Sequence, residues 1–231
     1  MKYEKGEAVR WLSHLDVLRT FERALRRSGL PVEYTEGFNP RHKLWFCAPI
    51  GVGVTGEAEL AAFDLAFSID CEDIAQRLAS VMPEGFKVRD AWPVDQKGSP
   101  FSNSVINSMR IALELSAGVT AGELQSAIDL SMARTEIEIE RDSRGSTKTI
   151  NIRPRIARLE IAETKESVAI VVADLIQTNE FGVRPAELVR ALQKIAPGVE
   201  LLSAHRVEVR IIRDTRTAKK GGEIVCQKRS S

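Results

Sequence analysis

Apolar residues at Val17, Leu18, Phe21, Ala24 and Leu25 recur at i, i+1, i+4, i+7 and i+8, the stripe of an amphipathic helix. Ser13 stands where an N-cap belongs, with Asp16 three residues on in a capping-box-like relation. Asp16 also falls in the first turn, where the helix dipole favours a negative charge. Gly29 and Pro31 end the pattern, so a helix is predicted from about His14 to Ser28. Its opposite side carries Arg19, Arg23, Arg26 and Arg27, with Glu22 the only acid among them.

Elsewhere in the first half the period shortens to two. Strands are predicted at about Lys2 to Trp11 with a bend at Gly6, at Leu30 to Thr35, at Leu44 to Cys47, at Leu60 to Phe67 and at Phe86 to Trp92. Cys71 to Met82 is helical, with Ile74, Leu78, Val81 and Met82 as its stripe and Asp70 as its cap. The order strand, helix, strand, strand, helix, strand is the split βαβ pattern, an antiparallel sheet with both helices on one face.

Pro93 to Asn103 is rich in turn residues, and then a second round begins. Ile106 to Leu115 reads as a strand, and Thr120 with Glu123 caps a helix reaching about Met132. Thr135 to Arg141 alternates strictly, Asp142 to Ser146 turns, and Thr149 to Arg153 returns. A hairpin follows from Arg155 to Ala173, then a helix over Ala186 to Ala196 with Pro185 at N1, then a last strand from Val199 to Arg213. The predicted fold is α+β: two ferredoxin-like (βαββαβ) domains in tandem, the second with an extra β-hairpin. Residues 1–93 and 105–213 are the domains, 94–104 the linker and 214–231 a disordered basic tail. The repetition is one of pattern, not of residues.

Composition narrows the chemistry. With 33 basic and 32 acidic residues the net charge is +1, so a nucleic-acid surface has to be local. Cys47, Cys71 and Cys226 are far apart and form no CxxC, which argues against a disulfide framework or a metal cluster held by this chain alone. Free thiols, no signal peptide and no apolar run of membrane-spanning length point to a cytoplasmic protein. Pro49 to Gly56 is glycine-rich but lacks GK[ST] and leads into no helix, so it reads as a turn, not a phosphate loop.

The local cationic surface is sought around the first helix. The turn Glu36 to Lys43 follows it, and Arg41, His42 and Lys43 are three consecutive positions able to carry positive charge. Phe38 either plugs the core beneath its own loop or offers a ring on which a base stacks. His14 is either a partly buried structural residue or a general acid or base, and His42 either a surface residue or a catalyst. Lys148, Arg153, Arg155 and Arg158 either form a solvated strand face or extend the cationic surface. The candidate nucleic-acid or partner-binding set is Arg10, His14, Arg19, Arg23, Arg26, Arg27, Phe38, Asn39, Arg41, His42 and Lys43. No catalytic or metal-binding residue is assigned.

Leu12-Ser13-His14-Leu15-Asp16, Glu22-Arg23-Ala24-Leu25-Arg26-Arg27, Gly29-Leu30-Pro31, Gly37-Phe38-Asn39-Pro40, Pro49 and Gly51 through Glu59 resemble the opening of the uncharacterised radical-SAM-linked proteins. The resemblance covers about the first 65 residues. It departs at His42, where that family often has proline, and at Gly56, where it has serine. The resemblance implies a domain encoded beside, or fused to, a radical SAM protein. That partner carries the 4Fe-4S cluster and S-adenosylmethionine, with no cofactor on this chain. Three roles stay open: an accessory module that presents tRNA or rRNA for modification, a purely protein-binding subunit, and a metal-independent endoribonuclease of the CRISPR-processing kind. The last would use His14 or His42 as acid or base.

Overall fold

A computed structural model describes residues 1–94, 98–101, 104–116, 118–143, 146–178 and 180–212. The helix expected after Ser13 is present as α1, His14–Arg27. The Ser13 hydroxyl accepts from the Asp16 backbone, while the Asp16 carboxylate accepts from Ser13, a complete capping box. Val17, Phe21, Ala24 and Leu25 are buried as the stripe requires.

The first half comprises β1 (Lys2–Lys5), α1, β2 (Leu44–Cys47), β3 (Val54–Phe63), α2 (Cys71–Val81) and β4 (Phe86–Asp90). Its strands lie in the order β4-β1-β3-β2, every pair antiparallel. Asp70 caps α2 as expected. The helices close over an aromatic cluster in which Phe21 meets Tyr3 edge-on at 4.7 Å and Phe46 at 5.1 Å.

The second half comprises β5 (Val105–Leu115), α3 (Ala121–Ala133), β6 (Glu138–Ser143), β7 (Ser146–Asn151), β8 (Ile156–Lys165), β9 (Val168–Gln177), α4 (Pro185–Gln193) and β10 (Val199–Ile211). Thr120 and Glu123 form the expected capping box, and Pro185 opens α4. The order β10-β5-β9-β8 is again antiparallel throughout, while β6 and β7 pair only with each other as the added hairpin. Leu113, Leu124, Ile128, Leu188 and Leu192 form the centre of this core.

The two halves are not separate sheets. Strand β10 runs parallel to β3, with Ala204, His205 and Arg206 opposite Val54, Thr55 and Gly56, and one eight-stranded, mostly antiparallel sheet results. Residues 95–97 and 102–103 of the expected linker, and the expected tail with Cys226, lie outside the described residues.

Four local expectations are corrected. The opening strand ends at Lys5, because Glu7–Val9 forms a 3₁₀ turn once the Lys5 side chain is drawn inward. Leu30 to Thr35 is no strand; it makes only isolated bridges, Val32 to Leu65 and Tyr34 to His42, since Pro31 has no N–H to contribute. Strand β3 begins six residues early, because its buried positions there are Thr55, Gly56, Ala58 and Glu59, which apolar alternation does not reveal. Arg153–Arg155 is a 3₁₀ turn and not the end of a strand.

Candidate binding surface

The outer side of α1 follows from its period: with Val17, Phe21 and Leu25 inward, Arg19, Arg23 and Arg26 at i, i+4 and i+7 face solvent, and all three are exposed. Arg19 lies 3.7 Å from Asp16. The Ser13 hydroxyl and N–H hold the Asp16 carboxyl below its ordinary range. Arg27 is spent on structure, donating at 2.6 Å to the Val81 carbonyl at the C-terminus of α2, where a cation suits the helix dipole. Arg23 and Arg26 make no hydrogen bond or ion pair among the described residues.

Residues 33–43 form a narrow hairpin beside this face. Thr35 N–H donates to the Arg41 carbonyl at 2.8 Å, and Arg41 N–H donates to the Thr35 hydroxyl at 3.0 Å. The His42 ring is buried, 4.5 Å from the Tyr34 ring. Burial holds its pKa below the usual histidine value; Arg26 adds to this and Glu22 opposes it. Arg26 and Glu22 of α1 are thus close enough to His42 to act on its charge. Lys43 pairs with Glu33 at 2.7 Å, while Asn39 and Arg41 are exposed. Phe38 does not plug the core: it is exposed in full at the tip.

At the other end of α1 stands a second exposed group. Arg10 lies over the Trp11 ring at 4.4 Å and pairs with Glu7 at 3.0 Å. Trp11, Leu15 and Val52 are all more than half exposed. His14 is exposed too, its ring edge-on to Phe46 at 5.6 Å, and partial burial lowers its pKa. Beneath lies a residue that sequence reading missed. The Lys5 ammonium, 1% exposed, donates to the carbonyls of Arg10, Leu12, Gly51 and Val54 at 3.0–3.2 Å. It ties the 10–12 segment to the glycine-rich turn. Gly53, at φ +80, is where a side chain would strike the Trp11 ring.

Glu59 and Arg206 were missed as well. They form a buried pair between β3 and β10, with further bonds to the Ala48 carbonyl and Asn107. A lone acid or arginine in mid-strand reads as solvent-facing, so only the strand pairing reveals them.

The basic residues of the second half do not extend the α1 surface. Arg153 donates to the carbonyls of Met132, Arg134 and Ile156, closing the end of α3. Arg155 pairs with Glu180 and lies over Phe181, and Arg158 pairs with Glu160; Lys148 stays exposed on the hairpin.

Reaction chemistry finds little support in these groups. Among the described residues, neither His14 nor His42 makes a hydrogen bond or ion pair with a carboxylate. No set of three or more His, Cys, Asp or Glu among them is placed to hold a metal ion. Burial pushes the Cys47 thiol up to about 11, so it is no thiolate at neutral pH. No helix among the described residues is long and apolar enough to cross a membrane. Among the described residues, what the outer face of α1 and the hairpin tip offer is two guanidiniums without partners, Arg23 and Arg26, and one ring without cover, Phe38.

The chain belongs to the family described as "Uncharacterized protein conserved in bacteria (DUF2344)", whose model matches residues 1–185. No curated protein matches it. Among solved structures it is similar to a chain of "Crystal Structure of a Cbf5-Nop10-Gar1 Complex", at 10% identity over 90% of this chain and 48% of that one, with a TM-score of 0.49. It is similar to a chain of "Structure of H/ACA RNP bound to a substrate RNA containing 2'-deoxyuridine", at 10% identity over 90% and 47%, with a TM-score of 0.47. A third is in "Crystal structure of the archaeal box H/ACA sRNP Nop10-Cbf5 complex", at 11% identity over 89% and 46%, with a TM-score of 0.47. The chain thus spans about half the length of these solved chains. Likeness of that degree transfers neither substrate nor residue role.

Proposed function

We propose that this protein is a non-catalytic accessory module, cytoplasmic, that binds tRNA or rRNA through the outer face of α1 and the 33–43 hairpin and presents it to a radical SAM enzyme. The enzyme supplies the 4Fe-4S cluster and S-adenosylmethionine. The scaffold is read as two ferredoxin-like units joined edge to edge; the β4-β1-β3-β2 and β10-β5-β9-β8 orders support that reading. One observation carries the functional reading. Among the described residues Arg23 and Arg26 are exposed, one turn apart on one helix, and make no hydrogen bond or ion pair. Arg41, Arg110, Arg134 and Arg190 are exposed without an acid too, but each on a different element, while Arg77, Arg89, Arg141, Arg155, Arg158 and Arg206 are each matched to an acid. Free guanidiniums one helical turn apart fork onto successive phosphate oxygens. The partner rests on the resemblance of residues 12–59 to the radical-SAM-linked proteins.

The test is binding of purified protein to tRNA and rRNA fragments at low salt, alone and with the radical SAM protein. Binding that Arg23→Glu/Arg26→Glu abolishes is expected. No binding in either setting overturns the reading.

A second reading, a protein-docking subunit with no nucleic-acid role, draws on Trp11, Leu15 and Val52, whose exposure suits an apolar partner surface. Co-purification with the radical SAM protein that survives nuclease, without RNA affinity, would favour it.

A further inference from the structure

The 33–43 hairpin has the construction of a stem that holds one ring out into solvent. At its base, Glu33 N–H donates to the Asp64 carbonyl at 2.9 Å and Asp64 N–H to the Lys43 carbonyl at 3.2 Å, so both limbs are fastened just past the end of β3. One step up, the rings of Tyr34 and His42 lie 4.5 Å apart, inclined by 34°. A further step up, Thr35 and Arg41 exchange two hydrogen bonds. Above that, Gly37 sits at φ +122, a conformation that a side chain resists, and the chain turns there to throw Phe38 outward.

Phe38 has a relative exposure of 105%, so no other described residue covers it. A phenyl ring left wholly in water on a rigid stem is held there against the hydrophobic effect, which favours covering it. Arg41, three residues on in the same loop, is exposed as well. A ring with a guanidinium in its own loop suits one unit of a nucleic-acid strand, a flat base with a phosphate beside it. In a duplex both faces of an internal base are taken by its neighbours. A single ring on a narrow tip therefore stacks only on a base that is unpaired, flipped out or terminal.

We infer that Phe38 is a base-stacking finger and that the nucleic acid this protein selects is single-stranded or looped, with an unpaired base seated on the ring beside Arg41. This rests on the RNA-binding reading and adds to it the class of strand recognised.

The test compares three RNA probes of equal phosphate number by fluorescence anisotropy: a single-stranded oligonucleotide, the same strand with abasic sites, and a duplex whose terminal pairs are covered by non-nucleoside end caps. Phe38→Ala and Phe38→Tyr are measured beside the unmodified protein. The ring packs against none of the described residues, so Phe38→Ala keeps the fold, checked by circular dichroism. The expected result is a roughly ten- to hundred-fold loss for Phe38→Ala on the base-bearing single strand. Duplex and abasic affinities stay unchanged, and Phe38→Tyr retains binding. Equal losses on all three probes, or no loss on the single strand, overturn the inference while leaving RNA binding in place. Failure of the unmodified protein to bind any of the three, both alone and with the radical SAM protein, overturns both.

Discussion

Arg206 and Glu59, 147 residues apart, meet as a buried two-pronged ion pair, with Nε and Nη2 of the guanidinium donating to the two carboxylate oxygens. The remaining nitrogen donates to the Ala48 carbonyl at 2.7 Å and to Asn107 Oδ1 at 2.9 Å. Parallel pairing of β10 with β3 gives the arginine its aim, so the pair fastens the two halves where their strands join.

Removing one member leaves the other as an uncompensated buried charge. Arg206→Met or Glu59→Leu should each cost about 3–5 kcal/mol in urea denaturation. The double variant Arg206→Met/Glu59→Leu should recover a large part of that loss, since two apolar side chains need no partner. Single costs that simply add in the double variant would contradict the coupling.

Lys5→Met would strip a charged donor from four carbonyls at once. A loss of about 3 kcal/mol or more is expected, because hydrogen bonds to charged groups are strong and bare carbonyls are costly. Amide hydrogen exchange should quicken at residues 10–12 and 51–54, the walls beneath Trp11. Unchanged protection there would mean the ammonium holds nothing.

Acid should loosen the hairpin before it loosens the sheet. The His42 pKa is below its unfolded value of about 6.5, because burial and Arg26 disfavour the charged ring. Between the two pKa values the unfolded chain binds more protons, so stability is full above about pH 6.5 and falls as pH drops below it. His14 shifts in the same direction through burial. Stability measured from pH 7 down to 5 should decline less in His42→Gln, and an identical decline would contradict the assignment.

Arg153→Ala should lower stability by about 1–3 kcal/mol through the carbonyls it leaves behind at the end of α3. RNA affinity should stay the same, since this guanidinium is turned inward. A fall in affinity at equal fold content would place the second half in the binding surface.

What the sequence made legible was local. Ser13 with Asp16, Asp70, Thr120 with Glu123, and Pro185 each mark a helix start with groups a few residues apart, and each start lies where those residues put it. The arginine period on α1 was equally plain. The parts that stayed hidden depend on contacts far along the chain. Glu59 looks like a solvent residue until β10 supplies Arg206, and Lys5 like a surface lysine until the 51–54 turn returns to it. The same distance effect divides the arginines, since Arg27 is consumed by Val81 of another helix while Arg23 and Arg26 are not. Phe38 turned on whether anything beneath its loop had room for a ring, a question of packing that no spacing encodes.

The docking role of Arg23 and Arg26 is tested most directly by the salt dependence of RNA affinity. Each phosphate neutralised on a single strand contributes about 0.7 to the slope of log K against log salt. Arg23→Gln/Arg26→Gln should therefore flatten that slope by about 1.4 while the fold stays intact. A slope equal to that of the unmodified protein would show that these two guanidiniums touch no phosphate, and the proposed surface would be wrong.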